Sequence, residues 1–258
     1  MSLVKKLIRK VIFGIYWDNK NKREIILNNY KIIGEASNHN NPEQLAKEAL
    51  LSYSDYLYEL LMLFINKKKF NINFLNLERL DEALSLKRGV IVSTAHIGNW
   101  DVGSLFIYNN KRLKVVANLD FPLAGNLIKL IRSRIGFDVI PAKNGVKEII
   151  RSLKENQILC MLSDISINHP SDYVNFLNHK IAFPKAAFQI ATSRQCPILP
   201  VFIIRKATLN FDCYIEECIK PKKDYKAAMQ EWAYSFEKYV KVYPQQWYIF
   251  LPIEVKNG

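Results

Sequence analysis

His96 and Asp101 stand five positions apart in "STAHIGNWD", directly after the apolar run Gly89-Val90-Ile91-Val92. A histidine with a nearby carboxylate can act as a general base: the acid fixes one imidazole nitrogen, and the other takes a proton from a hydroxyl. On a continuous helix, five residues would set the two side chains about 140° apart. Gly98 lies between them and permits a sharp strand-to-helix turn. His96 can then close the strand while Asp101 occupies the first helical turn and folds back. An attack on a carbonyl would also need donors for the oxyanion. Backbone N–H groups near Gly98, or a basic side chain, could supply them. Read alone, the same residues also fit a satisfied turn histidine and a helix N-terminal charge.

The neighbouring sequence weighs between these readings. "AHIGNWD" after a hydrophobic strand resembles the leading motif of the lipid A biosynthesis lauroyl/myristoyl acyltransferase family, a branch of the lysophospholipid acyltransferase superfamily. That branch commonly has His-Phe-Gly-Asn-Trp-Glu here. Ile97 replaces the Phe and Asp101 the Glu, while Gly98-Asn99-Trp100 is shared. Further matches follow in order. The stretch "NLDFPLAGNLIKLIRSRIGFDVIPAKNG" is similar to a family segment whose basic helix carries a late functional arginine, which implies Arg134, with Arg132 as the neighbouring alternative. "ILCMLSDIS" is similar to a strand ending in two acids. Asp164 matches the first, and Ser166 leaves the second unfilled. Asn175-Phe176-Leu177 stands at a Pro-Phe-Phe site, and "YPQQWYIF" resembles a Pro-Glu-Gln-Trp segment near the C-terminus.

The resemblance runs from about residue 20 to about residue 250. It implies an acyltransferase with His96 as base and Asp101 as its orienting acid. Arg134, Arg132, Asp164 and Asn99 are then expected at the substrate. The implied donor is an acyl carrier protein or CoA thioester, and the acceptor a hydroxyl of a lipid A precursor or related membrane glycolipid. No cofactor and no metal is implied. The Phe-Pro-Glu-Gly-like motif of the phospholipid branches is not found. Another O- or N-acyltransferase, or a basic membrane-binding protein without enzymatic activity, remains as an alternative.

These residues must be carried by a fold. With 49% hydrophobic residues in a chain of 258, a folded domain is expected. Strand-like runs near 89–95, 113–118, 137–141, 158–163, 198–205 and 211–219 alternate with helical patterns at 99–109, 123–135, 144–155 and 184–194. A long helix over 43–66 precedes them, and one over 223–243 follows. The alternation predicts an α/β domain with a mostly parallel or mixed central sheet flanked by helices, spanning 21–258. The resemblance implies the glycerol-3-phosphate acyltransferase-like version of it. "PSDYVNFLN", flanked by His169 and His179, reads as a loop that could cover the site.

Lys and Arg number 37 against 24 acids, a net charge of +13. Such an excess favours an anionic membrane surface or an acidic partner such as an acyl carrier protein, and no nucleic-acid motif appears. Residues 1–20 form a basic amphipathic segment: Lys5, Lys6, Arg9 and Lys10 on one side, Leu3, Leu7, Ile8, Val11, Ile12 and Ile15 on the other. No stretch approaches the roughly 20 apolar residues of a membrane span. Peripheral attachment to the cytoplasmic face of a bacterial inner membrane is the expectation. The four cysteines, Cys160, Cys196, Cys213 and Cys218, lack paired spacing and read as small core residues in a reducing compartment.

Overall fold

Seven strands form the central sheet of the computed structural model, which describes residues 3–103, 113–117, 138–166 and 170–256. In chain order they are β1 (Asn71–Leu75), β2 (Val90–Thr94), β3 (Leu113–Ala117), β4 (Asp138–Pro141), β5 (Ile158–Leu162), β8 (Ile198–Ala207) and β9 (Asn210–Ile215). Across the sheet the order is β1-β9-β8-β2-β5-β3-β4. Every pair is parallel except β8 with β9, so the sheet is mixed and mostly parallel. The α/β expectation holds. A separate antiparallel hairpin, β6 (Ser171–Phe176) with β7 (His179–Pro184), occupies the stretch expected to be a loop.

β2 lies in the middle, and all five of its residues are buried. A strand covered on both faces should be a continuous apolar run, and Val90-Ile91-Val92 is one. Ser93 extends it because its hydroxyl donates to Ser163 Oγ at 2.8 Å and its carbonyl accepts from the indole of Trp232.

Three helices precede β1: α1 (Leu3–Tyr16), α2 (Lys20–Ala36) and α3 (Pro42–Ile65). Asn41 caps α3, its side-chain oxygen accepting from the Gln44 N–H at 3.0 Å, and Pro42 sits in the first turn. The short α4 (Glu78–Ser85) follows β1. Later come α5 (Val146–Lys154), α6 (Ala186–Arg194) and α7 (Tyr225–Val242). The helical pattern at 123–135 and the outer part of 99–109 lie outside the described residues.

α1 turns differently from its expected two-sided pattern. Lys5 and Arg9 point inward and pair with Asp55 of α3 at 3.0 and 3.1 Å. Ile12 on the same face is buried, and Ile8, Phe13 and Tyr16 pack on the core. The outward face carries Leu3, Val4, Leu7, Val11 and Ile15, all exposed. No helix among the described residues is long and apolar enough to cross a membrane. Cys196 and Cys213 are buried, and all four cysteines are free.

Candidate active site

β2 and β5 run parallel in a register that sets Val90 beside Ile158 and Thr94 beside Leu162. Continued two residues past the strand ends, that register sets His96 beside Asp164. The two meet there: His96 Nδ1 lies 2.9 Å from Asp164 Oδ1, and the His96 backbone N–H donates to Asp164 Oδ2 at 3.0 Å. Trp247 Nε1–H donates to the same Oδ2 at 2.9 Å. The Asp164 side chain is fully buried, whereas that of His96 is 28% exposed. A buried carboxylate with three donors around it is held tightly, and it assigns the proton to Nδ1. Nε2 then keeps its lone pair, with the imidazole partly open to an incoming group.

The sequence pairs His96 with Asp101; at Nδ1 the structure has Asp164 instead. The reason is the β2/β5 register, which brings the two residues ending neighbouring strands side by side. Asp101 is buried in the first turn of a helix that starts at residue 100, and its Oδ2 accepts from the Tyr56 hydroxyl at 2.8 Å.

The turn between them depends on Gly98. Its φ is +60°, and a Cβ added there would stand 1.7 Å from the Ile203 carbonyl oxygen. Neither the left-handed backbone nor the contact tolerates a side chain. Asn99, expected at the substrate, is fully buried. Its side-chain oxygen accepts from the Val102 N–H at 3.2 Å and its amide donates to Glu59 Oε2 at 3.0 Å. It caps the helix and ties the turn to α3.

Glu59 is the centre of a buried polar network that sequence reading does not find. Arg205 of β8 donates to it through Nε at 2.7 Å and Nη2 at 2.8 Å, a two-pronged ion pair. Arg205 Nη1 also donates to Ser52 Oγ and the Tyr248 hydroxyl. Burial opposes the guanidinium charge, yet Tyr248 and the Glu59 carboxylate outweigh it and raise the Arg205 pKa above its ordinary value. A charged residue among Tyr56, Leu60 and Leu63 on the inward face of α3 was the available signal.

The "YPQQW" segment closes the site from the other side. Gln246 brackets the Arg205 backbone, accepting from its N–H and donating to its carbonyl. Its own carbonyl takes the Gly98 N–H, and the Tyr248 N–H donates to the His96 carbonyl at 2.8 Å. Arg132 and Arg134 lie outside the described residues, as does His169. His179 opens β7 in the hairpin.

The family model described as bacterial lipid A biosynthesis acyltransferase matches residues 2–253. The chain is similar to a phosphatidylinositol mannoside acyltransferase of Mycolicibacterium smegmatis, 21% identical, over 82% of this chain and 72% of the relative. It is also similar to one of Mycobacterium tuberculosis, 24% identical, over 82% of this chain and 70% of the relative.

Proposed function

The chain belongs to the bacterial lipid A biosynthesis acyltransferase family, and from that premise we infer how its site works on a lipid acceptor. His96 Nε2 takes the proton of a sugar hydroxyl on a membrane glycolipid. The oxygen attacks the carbonyl carbon of an acyl thioester, whose oxygen takes the negative charge. The tetrahedral intermediate collapses, the C–S bond breaks, and the imidazolium returns its proton to the departing thiolate. Asp164 holds the imidazole in the tautomer that leaves Nε2 basic and stabilises the imidazolium between the two steps. The 2.9 Å contact between His96 Nδ1 and Asp164 Oδ1 is the observation that carries this reading. Asp101, buried one turn away, is the second carboxylate of the site.

A glycolipid acceptor is favoured because the relatives named above act on phosphatidylinositol mannosides; a lipid A precursor is the neighbouring choice in the same class. An acyl carrier protein suits the +13 charge as donor, since it would be attracted to a basic surface. The outward stripe Val4, Leu7, Val11 and Ile15 on α1, flanked by exposed Lys6 and Lys10, supports docking on an anionic bilayer from which the acceptor is taken. The deciding experiment incubates the protein with radiolabelled acyl carrier protein and CoA thioesters, together with membrane glycolipids. Labelled glycolipid that disappears in His96→Ala supports the proposal. A His96→Ala variant with full transfer overturns it.

A further inference from the structure

Acyl transfer builds negative charge on the carbonyl oxygen, and a donor must meet it. Several amides near Gly98, one of the two donor sources the sequence offers, are already engaged. Gly98 N–H donates to the Gln246 carbonyl at 2.9 Å, Asn99 N–H to the Ile203 carbonyl at 3.2 Å, and Val102 N–H to the Asn99 side chain. The His96 amide is held by Asp164. Freeing any of them would break the turn that presents the histidine.

Trp100 offers a different donor. Its ring stacks on Tyr56 at 4.4 Å between centroids, with 26° between planes. It also meets the His96 imidazole edge to face at 5.0 Å. Its indole N–H is shielded from solvent and has no hydrogen-bond partner among the described residues. The indoles deep in the core are treated otherwise: Trp232 donates to the Ser93 carbonyl and Trp247 to Asp164. Leaving a buried donor unsatisfied costs about 1–3 kcal/mol, so a fold that keeps one beside its base calls for an explanation.

We propose that Trp100 Nε1–H is a catalytic donor to the acyl carbonyl oxygen of the thioester, stabilising the oxyanion formed when the acceptor attacks. The inference rests on the acyl-transfer reading above. Tyr56 and His96 hold the ring in place, and the group that covers the N–H gives way as the carbonyl oxygen enters. Its shielding from water strengthens the bond it makes.

The test uses the full chain and palmitoyl-CoA, with membrane glycolipid present and thiol release as the readout. Trp100→Phe keeps a ring against Tyr56 and removes only the N–H. It is expected to lower kcat by about 10²–10³ with little change in KM. A fall of less than tenfold overturns the proposal; if His96→Ala is inactive in the same assay, the acyl-transfer reading still stands. A fully active His96→Ala overturns both. Should Trp100→Phe fold poorly, the wild-type protein decides. Its Trp100 indole N–H proton resonance should shift downfield on saturation with a ketone analogue of palmitoyl-CoA, and an unmoved resonance overturns the assignment.

Discussion

Replacing Asp164 by Asn tests the orienting carboxylate with almost no change of shape. When His96 takes its proton, an imidazolium forms against a fully buried carboxylate whose Oδ1 is 2.9 Å from Nδ1. Two unit charges about 4 Å apart interact by about 4 kcal/mol at an effective dielectric constant of about 20. Losing that stabilisation slows the proton transfer by about 10³. The amide also has one acceptor oxygen where the carboxylate has two. Either Nδ1–H, or the pair formed by His96 N–H and Trp247 Nε1–H, must then face an NH₂ group. A buried donor so stranded costs about 1–3 kcal/mol, which for a chain of this size lowers Tm by roughly 2–10 °C. The assay is kcat for palmitoyl-CoA consumption with glycolipid present, run beside thermal melts and beside Asp101→Asn. An amide at 101 can still accept from the Tyr56 hydroxyl, so that variant should lose less activity than Asp164→Asn. The reasoning is refuted if Asp164→Asn keeps more than a tenth of kcat while Asp101→Asn loses a thousandfold.

Removing one member of the Glu59–Arg205 pair leaves a buried charge unpaired, so Glu59→Leu or Arg205→Met should each destabilise by about 3–5 kcal/mol in urea unfolding. The double substitution should recover most of that loss, because two apolar groups leave no stranded charge. The thiols of Cys196 and Cys213 are pushed up to about 12 by burial. At pH 8 both stay protonated, and mass spectrometry should find neither alkylated by iodoacetamide until the protein is unfolded. On α1, the double change Leu7→Asp with Val11→Asp should abolish cosedimentation with anionic phosphatidylglycerol vesicles, and thermal melts should stay unchanged because both side chains are exposed.

The sequence made the interior of the sheet legible and its margins obscure. β2 and the first seven residues of β8 are buried on both faces, and β5 is apolar throughout, so their runs stand out without help from periodicity. β1 is an edge strand, Asn-Ile-Asn-Phe-Leu, with no residue fully buried; its two asparagines are exposed and weaken the strand signal. The β6–β7 hairpin hid for another reason. Its turn residues Leu177 and Asn178 both have positive φ, the arrangement usually announced by Asn-Gly. Leu177 holds that conformation because its side chain is wholly buried, a tertiary fact with no local signature. α2 is obscured similarly: Asn29 interrupts its buried stripe of Ile26, Tyr30 and Ile33. Its amide is there to bind the carbonyls of Ile249 and Leu251.

At the site the histidine was legible and its ring partner was not. A spacing of five along the chain can be seen in one motif, whereas the partner at Nδ1 lies 68 residues away. Only the pairing of β2 with β5 makes 96 and 164 neighbours, and sequence gives each strand without its register. The same limit applied to α3, whose apolar stripe reads as core. Along that helix Ser52 meets Arg205, Asp55 holds Lys5 and Arg9 of α1, Tyr56 holds Asp101, and Glu59 joins Arg205 to Asn99. Hydrophobic side chains would fill that volume at lower desolvation cost, so the buried pair is poorly explained by stability alone. What it gives is direction. An apolar contact permits sliding, whereas a forked ion pair and a capped asparagine accept one arrangement. The turn that carries His96 is thereby fixed to the same helix that seats α1 and its exposed apolar face.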